Sequence, residues 1–435
     1  MNNVAKEKNR AIIIGAGLGG LLGAAKLATS GYEVEVFERL PMIGGRFTNI
    51  EYKGFALSTG ALHMLPHGPS GPLAQMLKSV GADVNIVRSD PMAVIRLPSK
   101  EGDNDYKNGS KDILFKNFPG QLSKTNRLKI AILMLTTRVF PPKKDSLEEW
   151  ISRYIKDEWL VKLADSFCGW SLSLRGADTS AKEAFSIFSN LYRYSGPGVP
   201  IGGCKAVVEA LEDVITSNGG KIHISKDVSE IKIVDGKAVG ILVDGTEHFG
   251  DIVISNIGHV ETNRLYNNVE LSEEYNQYLE QLKNIKPSAG VKICLAADEP
   301  LIGHGGVLLT PYARRVNGIN EVTNIDPNLA PPGKHLAVSH QCVQWDKLDE
   351  LEQEIELGLQ DIKEIFAGKK YEVLLIQSHS GEWPVNRSAS GLDVNVKNST
   401  PFKNLFIVGD GAKGEGGIEV EGIALGVANV MERIL

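Results

Sequence analysis

The stretch AIIIGAGLGGLLGAAKLATSGYEVEVFE, residues 11 to 38, constrains this chain more than any other. Ala11 to Ile14 form a short apolar run and predict a buried strand. GAGLGG predicts a turn, LLGAAKLATSG a helix of small residues ended by Gly31, and EVEVFE a second strand. Strand, turn, helix and strand within about 30 residues make a βαβ unit, the short connection that lays two parallel strands side by side. Gly15, Gly17 and Gly20 fall at the spacing G-x-G-x-x-G. The first glycine permits the tight turn, the second lets a pyrophosphate approach the backbone, and the third lets helix and strand touch. The N-H groups at the helix start then face an anion. Glu38, 23 positions after Gly15, ends the second strand where a carboxylate accepts both hydroxyls of an adenosine ribose. The same charge repels a 2'-phosphate, which sets NADP aside for this site.

The next segment, LPMIGGRF, narrows the dinucleotide to FAD. Gly44 and Gly45 let the chain fold beneath it, and Arg46 offers a planar fork to phosphate or flavin oxygens. Farther along, residues 122 to 194 read as an amphipathic, aromatic helical region. GGCKAVVEALEDVITSNGG then returns to helix, followed by the strand KIHI, a hairpin around Asp235 and Gly236, and a closing strand DIVISN. Residues from about 265 to 385 alternate helices with the strands AGVKICLAA, HLAVSHQC and EVLLIQSHS, a second sheet. LFIVGDGAKGEGGIEVEGIALGVANVMERIL closes the chain with a strand, a second glycine-rich turn and a helix.

Forty-six glycines in 435 residues exceed the usual share of about 7%, so backbone repeatedly turns tightly or approaches something closely. A net charge of -6 with no long basic run speaks against a nucleic-acid partner. The four cysteines lack C-x-x-C spacing, which excludes a zinc ribbon or a stapled secreted fold and fits reduced thiols in a cytoplasmic protein. No metal-ligand spacing, P-loop or nucleophile elbow occurs, so no metal is expected.

GAGLGG, Glu38 and GGRF together resemble the N-terminal fingerprint of the flavin amine oxidase superfamily. GALHM and the C-terminal VGDG resemble its phytoene desaturase branch most. The likeness is strong over the first 65 residues or so, the 200 to 260 block and the last 35. It implies an α/β fold in which a Rossmann-type FAD-binding domain with a parallel sheet is built from discontinuous segments, 1–90, 200–262 and 388–435. An α+β substrate domain, 91–199 and 263–387 with the helical subregion 122–194, is inserted. It further implies that Leu18 and Gly19 join the three fingerprint glycines at the cofactor, that Arg39 stands with Glu38, and that Gly60 and Ala61 accompany Gly45 and Arg46. Val228 falls where the family holds adenine through a backbone pair. Gly409 and Asp410 fall at the ribityl and pyrophosphate region, while Gly417, Ile418 and Glu419 begin the last helix beneath the pyrimidine edge.

Flavin chemistry needs few catalytic side chains, and three are candidates. Lys292 in SAGVKICLAADEPL stands where amine oxidases carry a lysine that holds water against the flavin; a surface lysine on a strand is the other reading. His63 in GALHM is either a proton carrier or a bonded core histidine. Trp383 in GEWPVN is either an active-site wall or core packing. RLKIAILMLTTRVF is too short to span a bilayer and reads as a core helix, a tunnel wall or a peripheral membrane contact. The expected function is FAD-dependent hydride transfer with a small apolar, isoprenoid or carotenoid-like substrate, although the chain is shorter than a typical carotenoid desaturase. A flavin amine oxidase and a non-enzymatic prenyl-lipid binding protein of the same fold are the alternatives. Electron acceptor and oligomeric state are not written in these motifs.

Overall fold

The computed structural model describes residues 9–379 and 396–435, apart from 62, 101, 138, 139, 141, 143, 144, 267, 268, 286 and 287. Five strands form a parallel sheet in the order Leu405–Ile407, Ile252–Ser255, Arg10–Ile14, Glu33–Phe37, Lys221–His223. Registers run Ala11 to Ile252, Ile12 to Glu35, Ile254 to Phe406 and Val36 to Ile222. The central strand is apolar from Ala11 to Ile14 because both of its faces are covered there. Ala11 and Ile13 pack against Leu21, Leu27, Val207 and Val427 on one face. On the other, Ile12 and Ile14 meet Val228, Ile231 and Ile241 of a three-stranded antiparallel sheet.

The first helix, Leu18–Thr29, starts three residues before the expected Leu21, because Gly17 already serves as its N-cap and the rest of the glycine turn is wound into it. Its small residues let it lie close to the Gly203–Ser217 and Glu419–Ile434 helices. The hairpin falls at the expected place: Asp235 and Gly236, both with positive φ, connect Val228–Val234 to Lys237–Val243.

A second sheet has seven strands, in the order Glu372–His379, Ala289–Ala297, His335–Val343, Val316–Glu321, Val307–Leu309, Ala93–Pro98, Ser110–Leu114. All neighbours are antiparallel except the Ala93–Pro98 and Val307–Leu309 pair. The polar segment PSKEGDNDYKNGSKD links its last two strands. One face carries the Leu351–Ile365 helix through Ile362 and Ile365. Leu163 and Trp170 of the Glu158–Leu172 helix cover the opposite face, which also looks toward the parallel sheet's loops. That layer between sheet and helices holds the site.

Candidate functional site

The two glycine turns, almost four hundred residues apart in sequence, touch. A methyl group on Gly19 would lie 2.7 Å from the Gly409 nitrogen, and one on either Gly17 or Gly409 would strike the Asn256 side chain. Asn256 follows the strand Ile252–Ser255, at the carboxyl edge of the parallel sheet, and its Oδ1 is buried without a partner. Gly15 adopts a φ of +89°, and a methyl on Gly20 would sit 2.1 Å from the Gly15 carbonyl, so the turn tolerates glycine alone at both places. No side chain caps the helix that begins at Leu18, and no acid stands in its first turn. Its leading N-H groups therefore present a positive end to whatever anion approaches.

Glu38 is buried, and its carboxylate accepts the Ala16 N-H at 2.7 Å and the Leu40 N-H at 2.9 Å. It thus braces the glycine turn from below, a role the motif did not predict, while each oxygen keeps a lone pair for a further donor. Arg39 beside it is exposed. Val228 opens its strand two residues after Lys226, whose N-H donates to the Glu38 carbonyl at 2.8 Å, so this backbone stands next to the acid. The Gly44 N-H donates to the Ala16 carbonyl at 2.8 Å, and Gly44 pairs in parallel with Gly17. Thr59 Oγ1 donates to the Gly45 carbonyl at 2.9 Å, and a methyl on Gly60 would lie 2.3 Å from the Arg46 carbonyl. Residues 44 to 48 and 58 to 61 are therefore stacked loops, Ala61 being half-buried at their rim.

Arg46 joins this stack to the C-terminal turn through Asp410, whose other oxygen meets the buried Lys413 ammonium at 2.9 Å. Burial pushes the Asp410 carboxyl up, but Lys413 and then Arg46 outweigh it and hold the group below the ordinary carboxylate range. Glu421, four-fifths of a helical turn beyond Ile418, is fully buried and turns back to receive the His67 N-H at 3.1 Å and the Leu73 N-H at 2.8 Å. It caps the Pro72–Val80 helix from a distant segment, and burial raises its carboxyl to about 7. Gly417 is buried, with Gly422 so close that a methyl would fall 2.5 Å from its Cα.

Lys292 is not on a strand surface. It is fully buried, and its ammonium donates to the Ser58 carbonyl and, at 2.7 Å, to the Gly60 carbonyl, which clamps the second stacked loop. Burial without a carboxylate partner lowers its pKa. His63 is buried as well; its Nε2 accepts the Ser58 N-H at 2.7 Å, which puts the ring proton on Nδ1, where it has no partner. Burial and then Lys292 lower His63 to about 3, so the ring is neutral. Trp383 lies outside the described residues. Sequence reasoning missed the neighbouring trio Ser173, His340 and His379, in which one hydroxyl lies 3.3 Å from both Nε2 atoms and the two rings stack at 5.2 Å. Adjacent to these groups is an apolar cavity. Met64, Met92, Phe115, Phe167, Trp170, Val307 and Leu309 line it, and Ile418 and Glu419 of the C-terminal turn close one wall.

These residues fit a flavin dinucleotide. Two glycine turns meet side by side, an uncapped helix end faces outward, and a buried Asn256 oxygen without a partner stands between them. A comparison with known families agrees: the model for flavin containing amine oxidoreductases matches residues 18–424. The chain belongs to that family. It is a flavin-dependent oxidoreductase, and a solved structure similar to it is an oxidoreductase from Methanosarcina mazei, 58% identical, TM-score 0.93, covering 97% of this chain and 100% of that one. Among curated proteins, a Methanocaldococcus jannaschii protein is 42% identical over 97% of this chain and 98% of its own length. A prolycopene isomerase of an Oncidium hybrid is 24% identical over 95% and 82%. The expected branch is represented too, by a phytoene desaturase of Rhodobacter capsulatus, 29% identical over 61% of this chain and 56% of that protein.

Proposed function

We propose that this family member binds FAD and transfers hydride between it and an apolar substrate of isoprenoid character. One observation carries the reading: the cavity that shares a wall with the C-terminal turn is lined, apart from Ser171, by aliphatic, thioether and aromatic side chains, and Glu419 is the single ionisable residue among the described residues of its lining. Such a surface holds a hydrocarbon through area removed from water, about 25 cal/mol per Å². Relatives named for carotenoid chemistry support the same substrate class.

In this reading, Gly15, Gly17, Leu18, Gly19 and Gly20 take the pyrophosphate and Glu38 the adenosine ribose. Arg46, Asp410 and Lys413 hold the far half through a fixed ion-pair network. Bound there, the flavin supplies the hydride chemistry. The chain's own part is to orient the substrate, exclude water with Phe115, Phe167 and Trp170, and keep the loop at 58–60 rigid through Lys292.

An apolar substrate also has to reach the cavity. No described helix is long and apolar enough to cross a membrane. The Lys124–Thr136 helix packs Ile130, Leu133 and Met134 inward yet exposes Leu128, Ile132 and Leu135, one stripe flanked by exposed Lys124 and Lys129. We propose that this stripe rests on an anionic lipid surface. Serine at the three positions is expected to abolish co-sedimentation with anionic vesicles.

The function is tested with flavin-loaded protein mixed anaerobically with acyclic polyprenyl hydrocarbons or, separately, with alkylamines. Bleaching by the hydrocarbons alone is the expected result. Bleaching by the amines alone, or purified protein unable to take up FAD, overturns it.

A further inference from the structure

Within the cavity, Glu419 stands apart chemically. It is the first residue of the last helix and has a φ of +44°, a left-handed conformation that costs a glutamate on the order of 1 kcal/mol. Its carboxyl takes no hydrogen bond or ion pair from any described residue, in contrast with Asp410 and Glu421, whose oxygens are all engaged. Ile418, Phe167 and Trp170 line the same cavity and offer it nothing polar, and the Ser171 hydroxyl in that lining donates to the Phe167 carbonyl at 2.7 Å. The charged and titratable groups that face it are Lys413, Asp410 with its partner Arg46, Glu421 on its own helix, and the Cys204 thiol of the Gly203–Ser217 helix. Burial, more than Asp410 and Glu421, pushes Glu419 up to about 8 against the pull of Lys413.

A carboxylate in an apolar chamber, with the nearby Lys413 ammonium held by Asp410, costs stability when no further positive charge is near. It gains when a bound molecule brings or develops positive charge, since attraction in low dielectric is strong. We propose that Glu419 is a catalytic residue of this cavity, whose carboxylate balances positive charge on the bound apolar molecule. A carbon that gives up hydride, with its electron pair, is left with such a charge; an alkylammonium carries one from the start. The inference rests on the apolar-substrate reading above and adds the electrostatic demand that the substrate meets. Two carboxyls within one turn, Asp410 held low and Glu419 held high, are the arrangement by which environments assign separate roles to like groups.

The test is calorimetric titration of the flavin-loaded protein with dodecyltrimethylammonium, below its micelle concentration, and with 1-dodecanol as the neutral probe, from pH 6 to 9. For the wild type, cation affinity is expected to rise about tenfold per pH unit and to level off near 8, because binding selects the ionised carboxylate. Dodecanol affinity is expected to be flat or to fall slightly. In Glu419→Gln the cation profile should be flat and at least tenfold weaker at pH 9, with dodecanol unchanged. A flat wild-type cation profile overturns the proposal even if the variant does not fold, and so does an equal loss of both probes in the variant. Dodecanol binding with no preference for the cation leaves the apolar cavity standing and removes only Glu419's role; failure of both probes removes the cavity reading and the proposal with it. With n-dodecylamine as a third arm, no flavin bleaching is expected; bleaching by it and not by the hydrocarbons overturns the apolar-substrate reading while leaving the charge-balancing role to be read from the cation profile.

Discussion

The two glycine turns meet at one place but are built from different materials. From Gly15 to Gly20 no side chain is ionisable, and the turn works through backbone alone: positive φ at one end, contact with the strand at the other, and open N-H groups between. From Gly409 to Glu421 the chain places Asp410, Lys413, Glu419 and Glu421, all but one engaged with a partner. A backbone turn gives the same grip at any pH. A turn made of coupled carboxyls and amines responds to pH and to charge brought by a ligand. Holding and chemistry are thus divided between opposite ends of one sequence.

The largest expected effect breaks the first turn. Gly20→Ala puts a methyl 2.1 Å from the Gly15 carbonyl, which neither the strand nor the buried helix can yield. A loss of about 3 kcal/mol or more should accompany loss of bound flavin, read by thermal melting and by absorbance of the purified protein. A variant that keeps its flavin would show that the turn tolerates what its geometry forbids. Next comes the far turn's structural carboxyl. Glu421→Ala orphans the buried His67 and Leu73 N-H groups, at a cost of about 2 to 4 kcal/mol in urea unfolding. Glu421→Gln, which keeps one acceptor, should lose about half of that.

How much of this could be read from the sequence follows the same division. The GAGLGG turn and the hairpin at Asp235 and Gly236 were legible because their signals are local: spacing, φ requirements and period. Asn256 was not, although a polar residue at the end of the strand DIVISN stands where ligands gather in parallel sheets. Glu421 acts on partners that only the folded chain brings near, Leu73 lying 348 residues away in sequence. Lys292 had a usable signal that was overlooked. A lysine inside AGVKICLAA, a strand buried at every position, has no solvent to reach, so its ammonium had to find oxygens inside.

A smaller effect sharpens the contrast through acid. Asp410→Asn removes the charge that Arg46 and Lys413 share, and should cost about 1 to 2 kcal/mol at neutral pH. The wild-type carboxyl is held below its unfolded value, so its stabilisation is complete above that value and disappears as pH falls through the folded one. Melting curves of variant and wild type should therefore converge in strong acid and separate toward neutrality. Parallel curves would mean that the ion pairs contribute nothing.

An effect of similar size has the opposite sign and isolates Glu419. Its folded pKa, about 8, lies above the ordinary glutamate value of 4.5, so the folded protein binds a proton that the unfolded chain has released in that window. Stability attributable to this group then falls as pH rises between those two values, and is level beyond them. Glu419→Gln cannot lose that proton. In the flavin-free protein the variant should match the wild type near pH 4, gain on it steadily, and stand about 1 to 2 kcal/mol above it at pH 9, after allowance for the carboxyl's partial exposure to the cavity. Adding dodecyltrimethylammonium at pH 9 should erase the gap, because the cation supplies the wild type with the partner its carboxylate lacks. A gap that persists in the presence of the cation would show that Glu419 is destabilised by its neighbours on the last helix rather than by the apolar chamber it faces.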